Sequence, residues 1–178
     1  MVLCMGVSGT LAYITDTQTS TGNLLAAGTL NLRTNDVDGV TRTLYASSMS
    51  PGDTAGPTVI TLKNVGTVAG ATLDIVSSYS ESDDGPNTDP DADAVAALLE
   101  VVILNYGGAS LLGSISDTNG NGYKDVKELT LPTNFTGLSG LLASESKDFE
   151  IAVRLRSDTP NDFQGHGIVV TMTFTLKQ

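Results

Sequence analysis

Residues 167–176 read GIVVTMTFTL, with Ile168, Val170, Met172, Phe174 and Leu176 in one register and Val169, Thr171, Thr173 and Thr175 in the other. A period of two, rich in β-branched side chains, describes a strand with one face in a core and one in water. Residues 149–156, FEIAVRLR, repeat the pattern. Working back toward the start, AAGTLNLRT at 26–34, Val40–Ser47, TVITLKN at 58–64 and ATLDIVSSY at 71–79 read as further strands. Between them stand turn residues: Asn35 to Gly39, Pro51-Gly52-Asp53, and Gly66 with Gly70. Short strands at this spacing predict a mainly β protein, an antiparallel β-sandwich.

The middle of the chain reads differently. Glu81–Asp93, ESDDGPNTDPDAD, is an acidic loop. Its far end resembles a helix start: Asp89 as N-cap, Pro90 in the first turn, Asp91 and Asp93 favoured by the helix dipole. A short helix is therefore expected over Ala92–Glu100, running into Val101–Leu104, and a second helical turn within Leu138–Ser146. These elements do not alternate regularly with strands, so an α/β fold is not indicated. The expected organisation is a single sandwich domain over 16–178, with 81–147 as an insertion-rich region and 1–15 set apart as an N-terminal strand.

The composition excludes several functions. The 178 residues carry 20 acidic and 9 basic side chains, a formal charge of −11, with one His and one Cys. Such a charge repels nucleic acid and anionic membranes, where Lys and Arg supply the affinity. One Cys forbids an intramolecular disulfide framework, and one His forbids a multi-histidine zinc site. Hydrophobic residues make up 40% of the chain, which argues for a packed core rather than a disordered acidic tail.

Residues 1–14, MVLCMGVSGTLAYI, carry no charge. A membrane-spanning helix needs about 20 apolar residues, so no span is expected. An export signal would have a basic n-region, whereas here Met1 leads directly into Val2 and Leu3. Two readings stand: the remnant of an export signal, or a mature strand in which Gly6 and Gly9 oppose helix. An exposed apolar strand must be covered, either by its own sheet or by that of a neighbouring copy. In the second case Val2, Leu3, Met5, Val7, Leu11, Tyr13 and Ile14 are the donated side chains. A head-to-tail contact of that kind propagates as a filament.

Residues 117–128, DTNGNGYKDVKE, match the calcium-loop pattern D-x-[DN]-x-[DN]-G-x5-E through Asp117, Asn119, Asn121, Gly122 and Glu128. Oxygens at the first, third and fifth positions converge as the loop curls, and Gly122 allows the sharp turn. The Tyr123 carbonyl, Asp125 and Glu128 complete the candidate ligand set for a calcium ion. The flanks Leu111–Ser116 and Leu129–Pro132 do not suggest long helices, so a free-standing loop is expected. The alternative reading is an Asn-Gly turn without an ion.

Support for catalysis is thin. His166 sits in a Gly-flanked turn without an adjacent Ser or Cys nucleophile, and no zincin, nucleophile-elbow or P-loop pattern occurs. Cys4 reads as a small buried hydrophobe. Asn134 in Asn-Phe-Thr matches a glycan acceptor.

SGTLAYITDTQTSTGNLLAAGTLNL at 8–32, PGDT at 51–54, TLKNVGTVAGATLDI at 61–75 and NDFQGHGIVVTMTFTLKQ at 161–178 resemble the TasA/camelysin family of exported matrix proteins, together with related archaeal bundling pilins. The resemblance covers both ends and the first half well and 81–147 poorly. It implies a jelly-roll-like sandwich with short helical insertions, extracellular and at the cell surface. It also implies polymerisation into pilus or biofilm-matrix filaments by donor-strand complementation through Met1–Thr15. The partners so implied are identical subunits and, in bundles, neighbouring filaments. One departure stands out: family members are described as cleaved near the position matching Ala12 or Tyr13, whereas this sequence continues upstream to Met1. Some camelysins are described as metal-dependent proteases, an activity for which one His and no zincin motif give no basis. A structural filament subunit is the leading expectation. Its alternatives are a monomeric calcium-binding surface module or adhesin and, behind that, a surface protease.

Overall fold

The computed structural model describes residues 29–35, 37–38, 41–46, 49–81, 92–131, 135–163 and 166–178. The expected N-terminal strand at 1–15, most of the expected acidic loop and Asn134 lie outside them. In chain order the strands are β1 (Leu32–Thr34), β2 (Val37–Asp38), β3 (Thr41–Ala46), β4 (Thr54–Asn64), β5 (Thr72–Glu81), β6 (Leu99–Tyr106), β7 (Ala109–Ser110), β8 (Leu138–Ser139), β9 (Ser146–Leu155) and β10 (Ile168–Lys177). The helices are α1 (Ala92–Ala96) and α2 (Val126–Leu129). A larger sheet runs β2-β1-β4-β9-β6-β7 and a smaller one β3-β10-β5-β8, every pairing antiparallel. The molecule is a β-sandwich.

β10 shows why. Its burial alternates without a break from Ile168 to Lys177, and Ile168, Val170, Met172 and Phe174 are all fully inaccessible. Pairing with β3 on one side and β5 on the other makes β10 the centre of the smaller sheet. β9 holds the matching place in the larger sheet, and the two meet where Phe149 packs edge-on against Phe174, ring centroids 5.3 Å apart. Such a contact adds about 0.5–1.5 kcal/mol to the burial of both rings.

The strand readings at 40–47, 58–64, 71–79, 149–156 and 167–176 correspond to β3, β4, β5, β9 and β10. Two helical expectations are corrected. The helix beginning at Ala92 ends at Ala96, and Leu99 already pairs with β9. Val101, Val102 and Ile103 are stiff at χ1 and gain more from a ladder than from a helix. Leu138–Ser146 holds no helix: Leu138 and Ser139 pair with β5, and the chain then turns into β9. The strand expected at 26–34 is shorter as well, with ladder pairing beginning at Leu32.

Before β1, Thr29–Asn31 is held against the turn that follows β4. Thr67 N donates to Thr29 O (2.7 Å), Val65 N to Asn31 O (2.8 Å), and Thr29 N to Thr67 Oγ1 (3.0 Å). The backbones come so close that a Cβ on Gly66 would lie 2.1 Å from Thr29 O. Only glycine fits there.

Candidate functional site

The residues of the calcium pattern lie along the outer edge of β6. After the β6–β7 hairpin, Leu111 N donates to Leu104 O (2.8 Å). The chain passes through a 3-10 turn at Leu112–Ser114 and buries Ile115. It then curls through 117–124 and returns, with Val101 N donating to Lys124 O (2.7 Å) and Asp125 bridging Glu100. Val126 and Leu129, on the single turn of α2, drop into the core. The insertion thus covers an edge that would otherwise offer unpaired backbone groups.

Within the curl, Asp117 organises the backbone. Its Oδ1 accepts from Gly120 N (2.7 Å) and Asn121 N (3.1 Å), and its Oδ2 from Gly122 N (2.9 Å). The Asn119 carbonyl oxygen accepts from Asn121 N (3.0 Å) and that of Asn121 from Tyr123 N (2.8 Å). Both amide nitrogens converge on one atom: Asn119 Nδ2 and Asn121 Nδ2 each donate to Asp125 Oδ2, both at 2.8 Å. Asp125 Oδ1 caps α2 by accepting from Glu128 N (3.0 Å). Glu128 Oε1 accepts from Asn119 N (3.1 Å) and from Thr118 N. Asp125 and Glu128 are fully buried; Asp117 and Asn119 are exposed.

The structure therefore brings Asn119, Asn121 and Asp125 to one point, with Tyr123 in the same curl. Asp117 and Glu128 accept backbone N–H groups of the same curl. Among the described residues no three His, Cys, Asp or Glu side chains are arranged to hold a metal ion. In this arrangement Asn119 and Asn121 turn N–H donors, not oxygens, to Asp125. The sequence pattern could not distinguish these arrangements, because an Asn side chain offers an oxygen and an N–H donor from the same carbon.

Arg156 escaped the sequence reading. It stacks over the Tyr123 ring, 3.9 Å from the centroid, and ties the curl to the end of β9. Its guanidinium also grips Asp158 through two hydrogen bonds, of 2.6 and 3.0 Å. That contact lowers the Asp158 carboxyl below its ordinary pKa and raises Arg156. An open cleft of about 230 Å³ lies beside this stack, lined by Gly52, Glu100, Tyr123, Arg154, Arg156 and Ser157. Glu100 and Arg154 close one wall as a 2.6 Å ion pair. An arginine in the outward register of FEIAVRLR was the one available signal, and it did not specify a partner.

The smaller sheet has a different kind of edge. β8 covers β5 only at Thr72 and Leu73, and the Phe135 carbonyl accepts from Ile75 N (2.9 Å). From Val76 to Glu81 no strand among the described residues pairs with the outer side of β5, and Val76 is 53% exposed.

A family model described as camelysin metallo-endopeptidase matches residues 1–178. The chain belongs to the camelysin family. The match spans the region 81–147, where the sequence resemblance is poorest, as well as both ends. Camelysin-family membership makes this a secreted or surface-associated protein. No helix among the described residues is long and apolar enough to cross a membrane. A comparison with curated proteins finds no match. The family description names a metallo-endopeptidase, and among the described residues the donors do not form a catalytic zinc site. Such a site takes three protein ligands, usually including His, whereas the chain has one His and the described residues form no cluster around it.

Proposed function

We propose that this chain is a non-enzymatic structural subunit of an extracellular filament, of pilus or biofilm-matrix type. Met1–Thr15 of one copy adds as a strand to the sheet of the next. The observation that carries the reading is the outer side of β5: a strand of ten residues whose partner β8 spans two. A long edge of this kind is a template for strand addition. The uncharged segment 1–14 has the composition to occupy it. Burying Val2, Leu3, Met5, Val7, Leu11, Tyr13 and Ile14 at about 1.5–3 kcal/mol each gives a gross gain of roughly 10–20 kcal/mol before ordering costs. A fibre with one Cys per chain needs a fastener of this size. We read the 117–128 loop as the seat of a calcium ion that stiffens the insertion, supported by the order of its oxygen-bearing side chains.

The deciding experiment deletes residues 1–15. The full chain should give filaments by electron microscopy and a high-mass species on size exclusion. The truncated chain should remain a soluble monomer. Filaments from the truncated chain refute the reading, and a monomeric full chain favours the surface-module alternative. Chelator-sensitive cleavage of casein by the purified chain would restore the protease.

A further inference from the structure

Ten asparagines occur in the chain, and two of them, Asn119 and Asn121, precede a glycine. Asn-Gly is the dipeptide most prone to lose its side-chain amide, because no Cβ on the glycine obstructs attack by its backbone nitrogen. We propose that Asn119 and Asn121 form a latent deamidation site, locked by Asp117 and Asp125.

The reaction is balanced with water alone. The backbone nitrogen of Gly120 or Gly122 attacks Cγ of the preceding Asn, the new C–N bond closes a succinimide, and Nδ2 leaves as ammonia with the proton lost by the glycine nitrogen. Water then opens the ring to aspartate or isoaspartate. The structure obstructs both halves of this step. Both nucleophilic N–H groups donate to Asp117, Gly120 N to Oδ1 at 2.7 Å and Gly122 N to Oδ2 at 2.9 Å. An anion at that distance opposes loss of the same proton. Both leaving nitrogens donate to Asp125 Oδ2 at 2.8 Å, so a fully buried carboxylate holds them where they must instead gain a proton. Gly120 and Gly122 are also fixed at φ +71° and +82°. One loop therefore contains the chain's two Asn-Gly steps and an acceptor for each reacting group. Asn119 is exposed and Asn121 half-buried, so water reaches the site.

The test incubates the purified full chain at mildly alkaline pH and follows each asparagine by peptide mass. Folded wild type, wild type in urea, Asp117→Asn and Asp117→Ala are compared. In urea Asn119 and Asn121 should convert first among the ten asparagines, and loss of the Asp117 carboxylate or of the fold should speed them roughly tenfold or more over the folded wild type. Equal rates in folded and urea-unfolded wild type overturn the lock without any variant having to fold.

Discussion

At the scale of single residues, polar side chains with several jobs set the fine structure. Asn64 is fully buried at the end of β4. Its Nδ2 donates to Val68 O (2.8 Å) and Leu141 O (3.2 Å), and its Oδ1 accepts from Gly66 N (3.0 Å). It therefore joins the turn that clamps Thr29–Asn31 to the strap leading into β9. Asn64→Ala removes all three bonds and leaves the buried Gly66 N without an acceptor, while Leu141 O keeps Gly70 N, and should cost about 1–3 kcal/mol in urea unfolding. Tyr106 is nearly as buried, its hydroxyl donating to Ser139 O (2.8 Å). Burial, with the Glu145 charge adding to it, pushes its hydroxyl up to about 12 from 10.0. The folded protein thus holds this proton more tightly than the unfolded chain. Stability should be level below pH 10 and fall as pH rises toward 12, by about 2 kcal/mol from this group. Tyr106→Phe should lose that share of an alkaline unfolding curve. Asp117 belongs to this class too. Three backbone N–H groups depend on it, so its truncation weakens the loop with or without calcium, and only the calcium-induced gain in melting temperature reports the ion.

At the scale of elements, the two sheets treat their edges differently. β6 is covered by its own insertion, which supplies backbone partners at Leu104 and Val101 and seals them with Ile115, Val126 and Leu129. Among the described residues β8 covers β5 for two residues, and the Phe135 carbonyl takes Ile75 N. This contrast makes β5 the acceptor in the proposed filament and predicts how to block it. Val76 is half-exposed and points away from the core, so Val76→Lys should leave monomer stability within about 0.5 kcal/mol. A lysine there is a standard defence against strand addition. Filament yield by electron microscopy should drop severalfold while the melting temperature holds. Unchanged growth would move the acceptor elsewhere.

At the scale of the molecule, charge governs approach. Copies carrying −11 each repel beyond contact, with a screening length of about 30 Å at 0.01 M salt and 8 Å at 0.15 M. Assembly and lateral bundling should therefore accelerate as salt is raised through that range, followed by light scattering. Assembly that slows with salt would instead point to attraction between unlike charged patches.

What could be read directly was what depends on local period and chemistry. Alternation in β3, β4, β5, β9 and β10 defined a two-layer β protein, since a period of two buries one face only in a sheet. The spacing of Asp117, Asn119, Asn121 and Glu128 marked an oxygen-rich curl. Tertiary structure decided what neighbours control. Val101–Ile103 became a strand because β9 offered a ladder, and the expected helical turn at 138–146 gave way to pairing with β5. Asn119 and Asn121 turned their N–H groups to Asp125 because a fully buried carboxylate has to be satisfied by whatever donor lies within reach. Local sequence specifies which groups a segment carries, and only packing specifies which of them lose water and must find one another.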